Sequence, residues 1–231
     1  MAEGSFPRRI PWRRKPDGTV GQDFSHPLSR ELVRRWLMND RGDTIRDITK
    51  QPLDGTNVGT TPKVVGGRRT RYFDDTNDYV ALDAIEGNQG SISFWVNYTG
   101  GGGTVISKAN TGDDVKYFLI SCTGTKTEIS IGDPWTRLNY AVDLDDGTWH
   151  HVVYTSDGST TKLYIDGIQR TLTEASGTNS GQWWDDAGTG NTWSIGCLRR
   201  AAITSYFGSG AIDDVRIYNR PISLNEVGAI Y

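Results

Sequence analysis

From Ser91 to Tyr98 the chain alternates: Ile92, Phe94, Val96 and Tyr98 fall on one side, and Ser91, Ser93, Trp95 and Asn97 on the other. A period of two marks a strand with one face turned to a core. The same texture runs on from Ser29, as short apolar runs broken by Gly, Asp, Asn, Ser and Thr, with few stretches long enough for a helix. Residues 149–155 and 162–166 predict a hairpin, because the polar connection Ser156-Asp157-Gly158-Ser159-Thr160 joins them. Further strands are expected at 32–38, 79–82, 104–107, 117–122, 128–131, 192–195 and 211–218. So many short strands require two packed sheets or a closed barrel. Near the end, Ser223 followed three residues later by Glu226 is a capping box, which predicts a helical turn whose Leu224, Val227 and Ile230 cover a sheet edge.

The first thirty residues read differently. Pro7, Pro11, Pro16 and Pro27 interrupt them, and proline suits neither a helix interior nor a central strand. Residues 1–30 are therefore expected to form an extended, basic arm ahead of a sandwich domain at 31–231. Residues 1 to 35 hold eight Lys+Arg against four Asp+Glu, a charge of +4, which leaves 17 against 24, or −7, for the remainder. Arg and Trp are favoured at interfaces, so Arg8, Arg9, Trp12, Arg13 and Arg14 are read as a docking element, with a solvated tail as the alternative.

Composition narrows the class. With 28 Gly among 231 residues, eight Trp and 10% aromatics, the chain is turn-rich and globular, which excludes collagen and coiled coil. No apolar run approaches the roughly 20 residues that span a bilayer, and Arg and Pro stand where a signal peptide carries its apolar stretch. Synthesis in the cytoplasm and no membrane partner are the expectations. Cys122 and Cys197 fit no metal spacing; two reduced, buried thiols or a single bridge satisfy them. The domain's −7 repels phosphates, so no nucleic-acid partner is expected.

Five segments occur in a familiar order: Phe73-Asp74-Asp75-Thr76-Asn77-Asp78-Tyr79-Val80, Ser91-Ile92-Ser93-Phe94-Trp95-Val96, Gly147-Thr148-Trp149-His150-His151-Val152-Val153-Tyr154, Leu163-Tyr164-Ile165-Asp166-Gly167, and the run from Gly210 to Ser223. Over roughly residues 30 to 231 the chain resembles a laminin G-like domain of the concanavalin A-like superfamily. The resemblance implies an all-β fold: a jelly-roll β-sandwich of two curved antiparallel sheets. The opening, with His26-Pro27-Leu28 and the run from Leu32 to Asn39, resembles single-domain proteins encoded among bacteriophage structural genes. That implies a non-enzymatic virion protein, a capsid decoration or tail appendage. Its expected partners are other virion proteins and further copies of itself. A carbohydrate-binding module is the alternative, and a glycan hydrolase a third reading, since the fold alone does not decide function.

Chemistry in the sequence is sparse. Glycan hydrolysis needs two carboxylates flanking the bond, yet the six Glu never fall within five residues of each other, and Asp143 with Asp145 reads as a polar turn. His150 and His151 point to opposite faces of one strand. The run Gly100–Gly103 lacks the Lys-Ser/Thr and helix of a phosphate loop, and Arg41-Gly42-Asp43 reads as turn chemistry rather than an adhesion tripeptide. Asp213 shares parity with Val215 and Ile217, which aims a carboxylate inward. The resemblance implies structural calcium there; bonds to backbone amides or to an arginine would serve as well. Trp183 and Trp184, in a Gly/Ser/Asn/Thr-rich loop, are expected either to stack on sugars or a partner or to cap the core, and Trp135 is a further candidate contact.

Overall fold

The computed structural model describes residues 22–132, 135–200 and 203–231. Arg8, Arg9, Trp12, Arg13 and Arg14 lie outside the described residues. The strands in chain order are β1 (Leu32–Trp36), β2 (Thr44–Ile45), β3 (Gly55–Val58), β4 (Thr61–Val65), β5 (Arg68–Asp74), β6 (Tyr79–Leu82), β7 (Gly90–Tyr98), β8 (Gly102–Asn110), β9 (Asp113–Thr123) and β10 (Lys126–Ile131). They continue as β11 (Thr136–Ala141), β12 (His150–Ser156), β13 (Thr161–Ile165), β14 (Ile168–Arg170), β15 (Thr173–Ser176), β16 (Thr192–Ile195), β17 (Leu198–Arg200), β18 (Ile203–Ser205) and β19 (Ser209–Tyr218), and helix α1 (Leu224–Ile230) closes the chain.

All pairings are antiparallel. One sheet runs β14-β13-β12-β7-β19-β5-β4, with β1 also paired to β19, and the other runs β15-β11-β10-β9-β8-β16-β6-β3-β2. The jelly-roll sandwich implied by the resemblance is the observed architecture. Between the sheets, Ile92, Phe94, Val96 and Tyr98 of β7 meet Phe118 and Ile120 of β9 and Ile129 and Ile131 of β10, all buried. The alternation read in β7 thus sorts its side chains as expected.

The structure adds strands that carried no apolar alternation. In β5 the sequence Arg-Arg-Thr-Arg is polar, but Arg71 is 1% exposed and its guanidinium donates to the carbonyls of Thr60 and Gly42. The β4–β5 turn is made by Gly66 and Gly67, both at positive φ, the two-residue hairpin geometry that glycine permits. Gly210 in β19 has φ +127, and a Cβ there would lie 2.4 Å from the Asn97 carbonyl oxygen, so only glycine lets β19 approach β7 at that point.

Two expectations are corrected. Helix α1 begins at the Ser223–Glu226 capping box as read, but it lies on a sheet face rather than an edge: Val227 and Ile230 pack on Val153, Tyr164, Tyr218 and Ile222. Leu224 is exposed. The parity of β19 also breaks, because its pairing with β7 shifts between Asp213 and Arg216, where Asp214 takes φ 44. This bulge places Ile212, Val215 and Ile217 in the core and leaves Asp213 opposite Trp95, outside it.

Candidate functional site

The outer face of the β7-containing sheet gathers Arg35, Arg68, Asp213, Asp214, Arg216 and His151. Asp213, fully buried, pairs with Arg68, whose guanidinium lies 3.4 Å away and stacks 3.9 Å over the Trp95 ring. A cation therefore already stands on this carboxylate, and among the described residues no group of three or more His, Cys, Asp or Glu is placed to hold a metal. The donor set does not fit calcium. Beside it, Asp214 accepts two hydrogen bonds from Arg35, at 2.8 and 3.2 Å, and two from Arg216, at 2.6 and 3.2 Å. Burial raises its pKa, but Arg216 and Arg35 outweigh that and hold it well below the usual carboxylate range.

Ser93 and His151 resemble a nucleophile and base, with Oγ and Nε2 2.8 Å apart. Both are 1% exposed, and the rings of Trp95 and Tyr231 pack against the imidazole, so no substrate reaches the pair. Burial brings the His151 pKa down to about 3. His150, on the opposite face, lies 2.9 Å from Asp166 and 3.2 Å from Asp146. The Asp166 hydrogen bond raises its pKa against a smaller opposing effect of burial. A histidine raised by folding contributes stability that is complete below its unfolded pKa of about 6.5 and is lost as pH rises through the folded value. His151 has the opposite sign, because only the unfolded chain takes up its proton as pH falls below about 6.5. The melting-temperature gap between wild type and His150→Gln is therefore expected to be widest below about pH 6.5 and to narrow as pH rises through the raised folded value. A constant gap would show that Asp166 and Asp146 hold no proton on this ring.

Trp183 and Trp184 turn inward. The Trp183 N–H donates to Asp186 at 2.7 Å, and the short 3-10 turn Trp184–Ala187 that follows lays both indoles on Phe118, with Trp184 also against Trp193. They are 1% and 0% exposed and belong to the core, so they cap the sandwich rather than meet sugars or partners. Asp143 and Asp145 form a turn, with the Asp145 N–H on Asp143 Oδ1 at 2.8 Å and Gly101 N–H on Asp145 Oδ2. Each carboxylate accepts a backbone N–H, the polar-turn chemistry read from the sequence. Both cysteines are free and buried, and burial pushes their thiols up to about 12.

Trp135 is the sequence candidate that reaches solvent, at 52% exposure. It stands at the start of β11, on the outer side of the nine-stranded sheet. Tyr117 of β9 meets it edge-on at 6.3 Å, and the Arg137 guanidinium lies 5.5 Å from its ring. Register places Ser121, Glu128 and Asn139 in one row across β9, β10 and β11, with Ser130 and Arg137 in the next. Glu128 accepts from Lys126 at 2.6 Å and twice from Arg137, at 3.1 and 3.0 Å. The β17–β18 hairpin flanks this face: Leu198 packs on Ala109, Tyr117 and Leu119, while Arg200 sits over Tyr117 and Tyr206, 5.4 and 5.9 Å from their rings. The exposed rings of Trp135 and Tyr206 and these fixed polar groups thus surround Tyr117, whose own ring is only 6% exposed. Arg137 was legible from Trp135, two positions on and so on the same face; Tyr117, Arg200 and Tyr206 carried no such signal.

Solved structures share this fold. Domain 4 of AbnA, a GH43 extracellular arabinanase from Geobacillus stearothermophilus solved with arabinotriose, superposes with TM-score 0.63 at 18% identity, over 87% of this chain and 98% of that one. The CBM40 of the Ruminococcus gnavus IT-sialidase, bound to α2,3-sialyllactose, superposes with TM-score 0.54 at 16% identity, over 62% of this chain and 81% of that one. The sex hormone-binding globulin of Phodopus sungorus is 32% identical over 78 residues, 32% of this chain, which spans 19% of that relative's length. The family model described as the concanavalin A-like lectin/glucanases superfamily matches residues 74–228. The chain belongs to the concanavalin A-like lectin/glucanase superfamily.

Proposed function

We propose that this chain is a non-catalytic, lectin-like module that holds glycan against Trp135, with the buried Tyr117 ring supporting the indole from within. The observation that carries the reading is the exposed indole of Trp135, set edge-on to Tyr117 beside the Arg137–Glu128–Lys126 network. Indole is a broad flat face for the C–H side of a pyranose, and polar groups fixed by ion pairs supply hydrogen bonds to hydroxyls without first being ordered. Similar folds in domains solved with arabinotriose and sialyllactose support it. The Trp135→Ala variant should keep its melting temperature and lose binding on a glycan array by roughly 30-fold or more, the scale of truncating an aromatic anchor. Undiminished binding would remove Trp135 from the site.

The setting we propose is a bacteriophage virion, as a capsid decoration or tail-associated appendage in several copies. The +4 charge of residues 1 to 35 beside a −7 remainder supports it, since a basic strap suits docking to an acidic partner surface. Mass spectrometry of purified particles tests it, and its absence from them would leave the glycan reading standing alone.

A further inference from the structure

We infer that the glycan taken by this surface carries a carboxylate, and that Arg200 is the residue that recognises it. The inference rests on the glycan reading above and names its substrate class. The two guanidiniums flanking the aromatic pair differ in their partners. Arg137 is held by Glu128 through two hydrogen bonds, on a carboxylate it shares with Lys126. Arg200 donates one Nη1 hydrogen bond, to the Asp114 carbonyl at 2.9 Å, and otherwise touches the rings of Tyr117 and Tyr206. Its Nε is withdrawn from solvent with no partner, and among the described residues no carboxylate lies within ion-pair distance of the group. Asp113, the neighbouring acid on β9, is engaged by Lys116 at 3.6 Å.

A partly buried guanidinium without a counter-ion has lost hydration that one carbonyl and two ring faces restore only in part. Its planar fork is matched by a carboxylate, and in a domain carrying an acidic surplus such a site selects its ligand by a local charge rather than by the global field. The span also fits. Trp135 and Arg200 both lie against the ring of Tyr117, which is only 6% exposed, at 6.3 and 5.4 Å, so a sugar stacked on the exposed indole can extend an acidic substituent on the same or the next residue over the buried ring toward the fork, which Tyr206, 61% exposed, borders.

The test uses the whole chain on an array of neutral, uronic-acid and sialic-acid oligosaccharides, followed by calorimetry of the best binder and of the same oligosaccharide with its carboxylates methyl-esterified. Expected are hits confined to the acidic sugars, a loss of roughly 10–100-fold on esterification, and an equal loss in Arg200→Gln. Arg200→Lys, which keeps the charge without the fork, should fall between. Melting temperatures of both variants establish that they are folded. Equal binding of neutral and acidic glycans, or Arg200→Gln binding like wild type, overturns the carboxylate assignment while the glycan reading survives. A blank array for the wild-type chain overturns both.

Discussion

Asp214→Asn is expected to lower the unfolding free energy by about 3–5 kcal/mol, the scale of removing one partner from a buried ion pair. Asp214 binds Arg35 and Arg216 in two-point contacts at once, and its side chain and that of Arg216 are each only 13% exposed. Asparagine tolerates the positive φ of 44 as aspartate does, so the variant removes charge without adding backbone strain. Two guanidiniums would then stay largely buried with no counter-ion, facing each other from the paired strands β1 (Arg35) and β19 (Arg216). For a chain of this size the loss corresponds to roughly 6–20 °C in melting temperature. The pH dependence has a definite sign. A carboxylate lowered by folding contributes stability that is present above its unfolded pKa near 3.8 and lost as pH falls through the folded value. Wild type and variant should thus differ most above about pH 4 and converge in acid. Equal stability at neutral pH would mean that Arg35 and Arg216 find other partners.

Trp184→Ala should cost a comparable amount, about 3–5 kcal/mol, by opening a cavity in the end of the sandwich. The indole is fully buried, with ring centroids 4.8, 4.9 and 5.1 Å from those of Phe118, Trp183 and Trp193. Its carbonyl also accepts from Lys108 Nζ at 3.0 Å, an ammonium whose pKa burial already lowers, so water admitted by the cavity would reach a charged group inside the fold. Trp184→Phe, which keeps a ring, should lose less. Denaturant unfolding measures both. Because Trp184 does not reach the Trp135 surface, the folded fraction of either variant should bind glycan as wild type does. A stable Trp184→Ala protein that no longer binds would return this indole to the ligand site.

The two tryptophan assignments show what a linear reading misses. The loop at 176–191 is rich in Gly, Ser, Asn and Thr, which left Trp183 and Trp184 open to a surface contact or to capping the core, and the segment, with Trp183 N–H bonded to Asp186, lies over the core. The same limit applies at Asp213. Parity counting assumes an unbroken strand, and the bulge at Asp214 inserts one residue that moves the carboxylate away from the core and onto Arg68.

Alternation in β7, the hairpin of β12 and β13, and the capping box before α1 were determined by the sequence alone, because each depends on neighbours within a few residues or on one repeating period. The all-β class followed from the number of such runs. Only the tertiary structure decided which aromatic rings are spent on the core and which stay outside, and which arginines are met by carboxylates. Those outcomes rest on contacts between segments far apart in the chain, such as Arg35 with Asp214, Arg68 with Asp213 and Arg200 with Tyr117. Burial of a side chain or pairing of a charge is a property of the partner brought to it, and no local pattern encodes that partner.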